Sequence, residues 1–236
     1  MDTPLCRSSW VPQMSPDHMS NLLLIWGAGG HGKVVLDIAR GTGRFERIAF
    51  LDDDPGRAGL TFFMFCDCPL VGGPEELYRF AGSTFVVAIG DNRTRARCFA
   101  RALGNGLAPR ALVHPSAVIA ASASIGPGTV VMPGVIVNAD AVIGENCIIN
   151  SGAVVEHDCR VDAHVHISPR VVLGGGVSVG LLAHVGIGAI VLPGATVGEE
   201  SVVGAGAVVL REVPAHCTVV GVPARALSRR VATIRR

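Results

Sequence analysis

The chain has 236 residues, 49% apolar but only 5% aromatic, with 30 glycines and a formal net charge of +1. That length suits one or two domains, and so small a net charge excludes binding driven by attraction to nucleic acid or an anionic membrane. So much glycine fits short strands and tight corners better than a helical bundle, in which each interior glycine costs about 1 kcal/mol relative to alanine.

Residues 1–20 are expected to be a disordered or non-native extension and are set aside. The run Leu22-Leu-Leu-Ile-Trp26 is too short for a membrane span or a secretory h-region and reads as a buried strand. Gly27-Ala-Gly29-Gly30-His31-Gly32 follows, a GxGxxG between that strand and a helix expected over 33–40 with Val34, Val35 and Ile38 on its apolar face. Asp52 stands twenty residues past Gly32, at the end of a second strand over 48–51. A third strand, over 85–89, runs into Gly90-Asp91-Asn92, where open α/β sheets place their ligands. Such glycines let backbone approach phosphates, and a helix N-terminus stabilises their charge. An NAD domain is one reading. However, 21–112 is too short for two mononucleotide halves, so a half-sized domain gripping one nucleotide diphosphate fits better. Glycines serving only a tight turn are the structural alternative.

From Val113 onward the chain keeps a six-residue clock. Every sixth residue through Ile125, Val137, Ile149, Val161, Leu173, Val185, Val197 and Val209 is aliphatic, as are the steps between them. Four places after each comes a small or compact residue, from Ala117 through Cys147 and Cys159 to Val213. A 3.6-residue helix drifts out of step with this pattern, and a sandwich would need period-two alternation. A prism of three hexads per coil satisfies it, with the aliphatic residue inside each face and the small one at the corner. Residues 18 apart then stack, which puts His166 beneath His184 and His157 beneath Gly175. The ends of such a prism need covers. Residues 21–112 and the segment 214–236, with its basic tail, can supply them; the prism itself is placed at 113–213.

The segment Val154–Ser168 collects His157, His164 and His166 with Glu156, Asp158 and Asp162 in otherwise nearly uncharged surroundings. None of these histidines occupies the aliphatic or small column. His157 reads either as a solvated surface residue or as a general base oriented by an adjacent carboxylate. His164, His166 and His184 also have a spacing that zinc could use. Cysteine nucleophiles are disfavoured, because Cys147 and Cys159 fall in the interior column. The odd cysteine count without CxxC spacing fits a reduced, cytoplasmic protein, and Cys66-Asp-Cys68 is a weak metal or redox signal.

A half-Rossmann cap, then His114-Pro-Ser116, then unbroken hexads ending in Gly221-Val-Pro-Ala-Arg225, resembles the PglD/NeuD group of hexapeptide-repeat sugar acetyltransferases. The resemblance covers roughly 21–228 and implies a left-handed parallel β-helix behind a small α/β domain. It implies acetyl-CoA as co-substrate, no metal, and a homotrimer with active sites between subunits, serving surface glycan or glycoprotein sugar synthesis. His157 would be the base, with Asp158 where the family often has glutamate, and Gly175 N–H the oxyanion donor. His166, Gly175, Ala205, Gly221 and Arg225 would line the acetyl-CoA channel. Gly27, Gly29, Gly30, His31, Gly32, Asp52, Asp53, Gly90 and Asn92 would hold the acceptor. That acceptor is expected to be a UDP-linked 4-amino-4,6-dideoxy sugar. A GDP-perosamine N-acetyltransferase, a sialic acid O-acetyltransferase and, more distantly, a zinc hydratase are the alternatives.

Overall fold

A computed structural model describes residues 21–54 and 68–227. The expectations for 1–20, for Cys66 in the Cys66-Asp-Cys68 pair, and for the tail beyond 227 lie outside the described residues.

The first part is a four-stranded sheet of β1 (Leu22–Trp26), β2 (Arg47–Leu51), β3 (Thr84–Val87) and β4 (Ala108–Pro109), in the order β2-β1-β3-β4. All pairs are parallel, and β1 is buried along its whole length, as its unbroken apolar run requires. Helix α1 (Gly30–Thr42) follows β1, and helix α2 (Asn92–Gly104) follows β3. The sequence places α1 at 33–40, but it begins inside the glycine motif, so Gly30, His31 and Gly32 form its first turn. Two of the glycines are required by close packing. A Cβ on Gly32 would stand 2.1 Å from the Gly27 carbonyl oxygen, and one on Gly27, at φ +116°, would stand 2.7 Å from that of Ala88.

The second part is a β-helix of three parallel sheets, two of six strands and one of eight. The strand pairing follows the eighteen-residue stack, with His166 opposite His184 and Ile167 opposite Val185. The aliphatic residues from Val131 to Val209 and the compact residues from Thr129 to Ala207 are buried. Each fully buried valine or leucine contributes about 1.5–3 kcal/mol of transfer free energy. The corners show a third periodicity. Gly128, Gly134, Asp140, Asn146, Gly152, Asp158, His164 and Arg170 all have φ between +51° and +72°. That left-handed conformation favours glycine, asparagine and aspartate.

The clock does slip once. Val213, expected at a cramped corner position, instead pairs with Val197, sixteen residues earlier, and Val219 likewise pairs with Val203. Two residues are missing from the last corner, so Val213 serves as an interior aliphatic residue. The sheet then continues through Thr218–Val220 to an antiparallel end strand, Arg225–Ala226.

Three faces and three corners organise everything that follows. Face one carries Ile148, His166, His184 and Val202 outward; face two carries Ile136, Val154, Val172 and Ile190; face three carries Val142, Arg160, Ser178 and Thr196. The α/β part docks on the corner between faces three and one. There Asn92 donates to the carbonyls of Leu182 and Ala183 at 2.8 and 2.9 Å, and Phe99 meets the His164 ring edge-on at 5.8 Å.

Candidate active site

His157 lies at the corner between faces two and three, and Asp158 takes the left-handed position, φ +60°. That backbone turns the short aspartate side chain back, so its Oδ2 accepts from His157 Nδ1 at 2.7 Å. The carboxylate raises the His157 pKa above the ordinary histidine value, chiefly through this hydrogen bond. The bond fixes the ring proton on Nδ1 and leaves the Nε2 lone pair outward, in a side chain 62% exposed. The imidazole lies directly over Gly175. A Cβ there would come within 2.6 Å of both Cε1 and Nε2, so only glycine fits beneath the ring. The ladder bonds at this corner come from the amides on either side, Gly176 to His157 O and Gly174 to Val191 O. Glu156 turns away to accept from Asn138 Nδ2 at 2.8 Å.

His166 and His184 occupy a second place, on face one. Their rings stack in parallel with centroids 4.8 Å apart and line an open cleft of about 490 Å³ with Gly90, Asn92, Arg93, Leu182 and Glu200. Asn150 accepts the Ser151 N–H on Oδ1, so its NH₂ faces His166 Nε2 at 3.2 Å, and that nitrogen must accept. The His166 proton therefore sits on Nδ1, which faces the Gly90 backbone without a hydrogen bond of normal geometry. Burial, then the neighbouring His184 and Arg95, pushes the His166 pKa down to about 3. His31, in the first turn of α1, is similarly held at about 4 by burial and Arg95, and its buried Nε2 has no partner. Both rings are neutral at physiological pH.

The structure thus divides the crowded segment 154–168 three ways. His157 and Asp158 meet at one corner, and His166 joins His184 on face one. His164 sits at the docking corner, where its Nδ1 lies 2.9 Å from Asn146 Nδ2. His164 therefore does not converge with His166 and His184 as zinc would need, and no metal-holding group of three or more His, Cys, Asp or Glu occurs among the described residues. Cys147 and Cys159 are buried in the prism, and burial raises both thiols, Cys147 to about 11, far from a neutral-pH thiolate.

The expected acceptor residues fall into two groups. Gly30 and Gly90 are exposed, and a Cβ on either would meet only open space. Asp53 is exposed beside Trp26, whose Nε1 lies 3.3 Å from its carboxylate. Asp52, in contrast, accepts the backbone N–H of Ala28 at 2.7 Å and of Asp54 at 3.0 Å, bracing the glycine turn. Asn92 is buried, with its NH₂ on the β-helix and its Oδ1 accepting from Arg95 at 2.8 Å, so its side chain joins the two parts. Arg95, which sequence reading missed, is fully buried at the centre of that junction. The only signal was an arginine three residues past Asn92 on a helix, indistinguishable from its solvated neighbours Arg93 and Arg97. Ala205, Gly221 and Arg225 are exposed on the far side of face two from His157.

Comparison with known proteins agrees with this architecture. The PglD N-terminal domain family matches residues 22–102, and the bacterial transferase hexapeptide family matches 122–157 and 140–175. Perosamine N-acetyltransferase from Caulobacter crescentus, a histidine variant in complex with CoA and GDP-perosamine, is 43% identical with a TM-score of 0.81. That match covers 87% of this chain and 96% of the other. The acetyltransferase domain of PglB from Neisseria gonorrhoeae FA1090, in complex with acetyl coenzyme A, is 37% identical over 88% of this chain and 100% of its own, with a TM-score of 0.81. WeeI from Acinetobacter baumannii AYE is 27% identical with a TM-score of 0.79, covering 87% of this chain and 99% of that one. No significant match was found among curated protein sequences. The cap, the hexads and relatives of this identity spanning nearly their whole length place the chain in the PglD family of hexapeptide-repeat sugar acetyltransferases.

Proposed function

We propose that this acetyl-CoA-dependent enzyme acetylates the amino group of a nucleotide-linked amino sugar, with His157 as general base. The observation that carries the reading is the exposed His157–Asp158 pair seated over Gly175. Nδ1 is committed to the carboxylate, so Nε2 takes a proton from the amine as it attacks the thioester carbonyl. The resulting imidazolium is stabilised by Asp158, and Gly175 N–H donates to the tetrahedral oxyanion. Collapse expels the CoA thiolate, which takes up the proton, and no covalent enzyme intermediate is needed. The high thiol pKa values agree with direct transfer.

The acceptor lies between the glycine turn, Asp53 and Gly90, with its sugar toward the cleft of His166 and His184. The uridine nucleotide expected from sequence competes here with a guanosine one. The latter is favoured by the 43% identity to an enzyme bound to GDP-perosamine, so a GDP-linked 4-amino sugar is the first acceptor to offer.

The active form is a homotrimer. Face two presents a stripe of aliphatic side chains outward, with Val118, Ile136, Val172 and Ile190 between 37% and 63% exposed. His157 flanks that stripe on one side, and Ala205, Gly221 and Arg225, the expected acetyl-CoA residues, flank it on the other. Within one chain, the α/β domain docks a full hexad face from His157, about 20 Å at ~3.3 Å per residue. Packing copies through face two supports a site shared by two chains, and a closed three-fold ring is a permitted arrangement. Incubating acetyl-CoA with GDP- and UDP-4-amino sugars tests the reading directly. Acetylated amine formed by the unmodified protein, and lost in His157→Ala, is the expected result; near-normal turnover by the variant removes His157 from its role.

A further inference from the structure

Arg95 is the largest fully buried side chain of the described residues, and none of the ion pairs found among them includes it. Its N–H groups instead reach carbonyl and amide oxygens from two separate parts of the fold. Nη1 donates to the Ile89 and Gly90 carbonyls at 3.1 and 3.2 Å, in the loop after β3. Nε donates to Asn146 O at 2.9 Å, and Nη2 to His164 O at 2.7 Å, both on the β-helix. Nη2 also reaches Asn92 Oδ1 at 2.8 Å. Burial pulls its pKa down to about 10, so the guanidinium remains charged at neutral pH. Asp91 favours its charge from a distance, but a buried cation with no carboxylate in contact is costly, and well-packed apolar residues serve stability better. A fork of five donors, however, can fix two backbones in register as an apolar side chain cannot.

Those two backbones contribute to the lining of one cleft. Gly90 lines it from the α/β part, and His166, two residues past His164, lines it from the β-helix. We infer that Arg95 is a positioning residue: it clamps the loop at 89–90 to the coil at 164–165, and so sets where the nucleotide-sugar's amine lies relative to the His166 wall. This rests on the acceptor site proposed above. Burial is the larger reason that His31, His166 and His184 disfavour their protonated forms, and the same cation adds to it.

The test compares Arg95→Lys and Arg95→Gln with the unmodified protein by calorimetry with GDP, UDP and CoA, steady-state kinetics, and amide hydrogen exchange. Lysine keeps the charge but loses the fork. The expected result is faster exchange at 94–96, whose amides are hydrogen-bonded in the first turn of α2, acceptor KM and nucleotide Kd raised about tenfold or more, and CoA affinity within about threefold. Unchanged nucleotide affinity and acceptor KM, or equal weakening of CoA and nucleotide, would overturn the inference. The unmodified protein gives a reading even if neither variant folds: the Nε–H of Arg95, donated to Asn146 O, should exchange far more slowly than that of the exposed Arg97, and equally rapid exchange sinks the clamp. A protein that binds CoA but no nucleotide and acetylates no amino sugar would defeat the proposed function, while the exchange data would still judge Arg95.

Discussion

At the scale of single residues, the proposed chemistry depends on how Asp158 and Gly175 present one imidazole. Asp158 raises the His157 pKa, and a base works only when deprotonated, so kcat/KM should rise with pH through a value above the ordinary 6.5. Asp158→Asn removes both the carboxylate and its charge; the limb should move to lower pH, while the plateau falls because the ring loses its orientation. A pH–rate profile of the two proteins shows both changes. Gly175→Ala inserts a methyl group 2.6 Å from the ring. It should lower kcat by at least about tenfold, toward the 10²–10⁴ that a positioned base contributes. The melting temperature should barely move, because the displaced side chain is solvent-exposed. The buried histidines titrate in the opposite sense. His166 and His31 have folded pKa values of about 3 and about 4, below the unfolded value near 6.5, so the unfolded chain binds more protons between these limits. Their contribution to stability is therefore present above pH 6.5 and lost as pH falls toward 4. In denaturant titrations at a series of pH values, His166→Gln should flatten this acid slope by up to about one proton.

At the scale of elements, the hexad is a packing rule, and its consequences are local. Leu173 is fully buried inside a coil, and Leu173→Ala should cost about 2–5 kcal/mol in chemical denaturation without changing the KM for either substrate. The interior and corner columns were legible because the coil repeats every eighteen residues, so sequence spacing alone names each residue's neighbours above and below. The same reasoning placed His166 against His184 and His157 against Gly175, and both pairs are in contact. It failed at Val213. A two-residue deletion inside a corner leaves both flanking valines in plausible positions, and only the pairing with Val197 reveals it. The helical spacing read from sequence also started α1 three residues late, because glycine and histidine are poor helix formers, whereas Gly32 fits in the first turn through its close approach to Gly27, just past β1.

At the scale of the whole molecule, the aliphatic stripe on face two is the surface through which copies are proposed to meet. Ile190→Glu places a charge in its middle and should yield monomers by sedimentation, with an unchanged circular dichroism spectrum. Activity should fall with the loss of assembly, because His157 and the expected acetyl-CoA residues flank opposite sides of that face. Trimers retaining full activity would remove face two from the interface.

The amino-acid sequence by itself determined the β-helix, the small parallel sheet in front of it, and the segment in which the polar residues gather. Each follows from a period or a spacing that the chain carries locally. The tertiary structure alone decided where those polar residues lie. It sent His157 to one corner, His164 to the docking surface and His166 to the cleft, and turned Asn92 and Arg95 into the joint between the two parts. The reason is physical: Asn92 meets Leu182 ninety residues away, and Arg95 meets His164 sixty-nine away. No local pattern encodes which corner of a three-cornered prism a separate domain will bury.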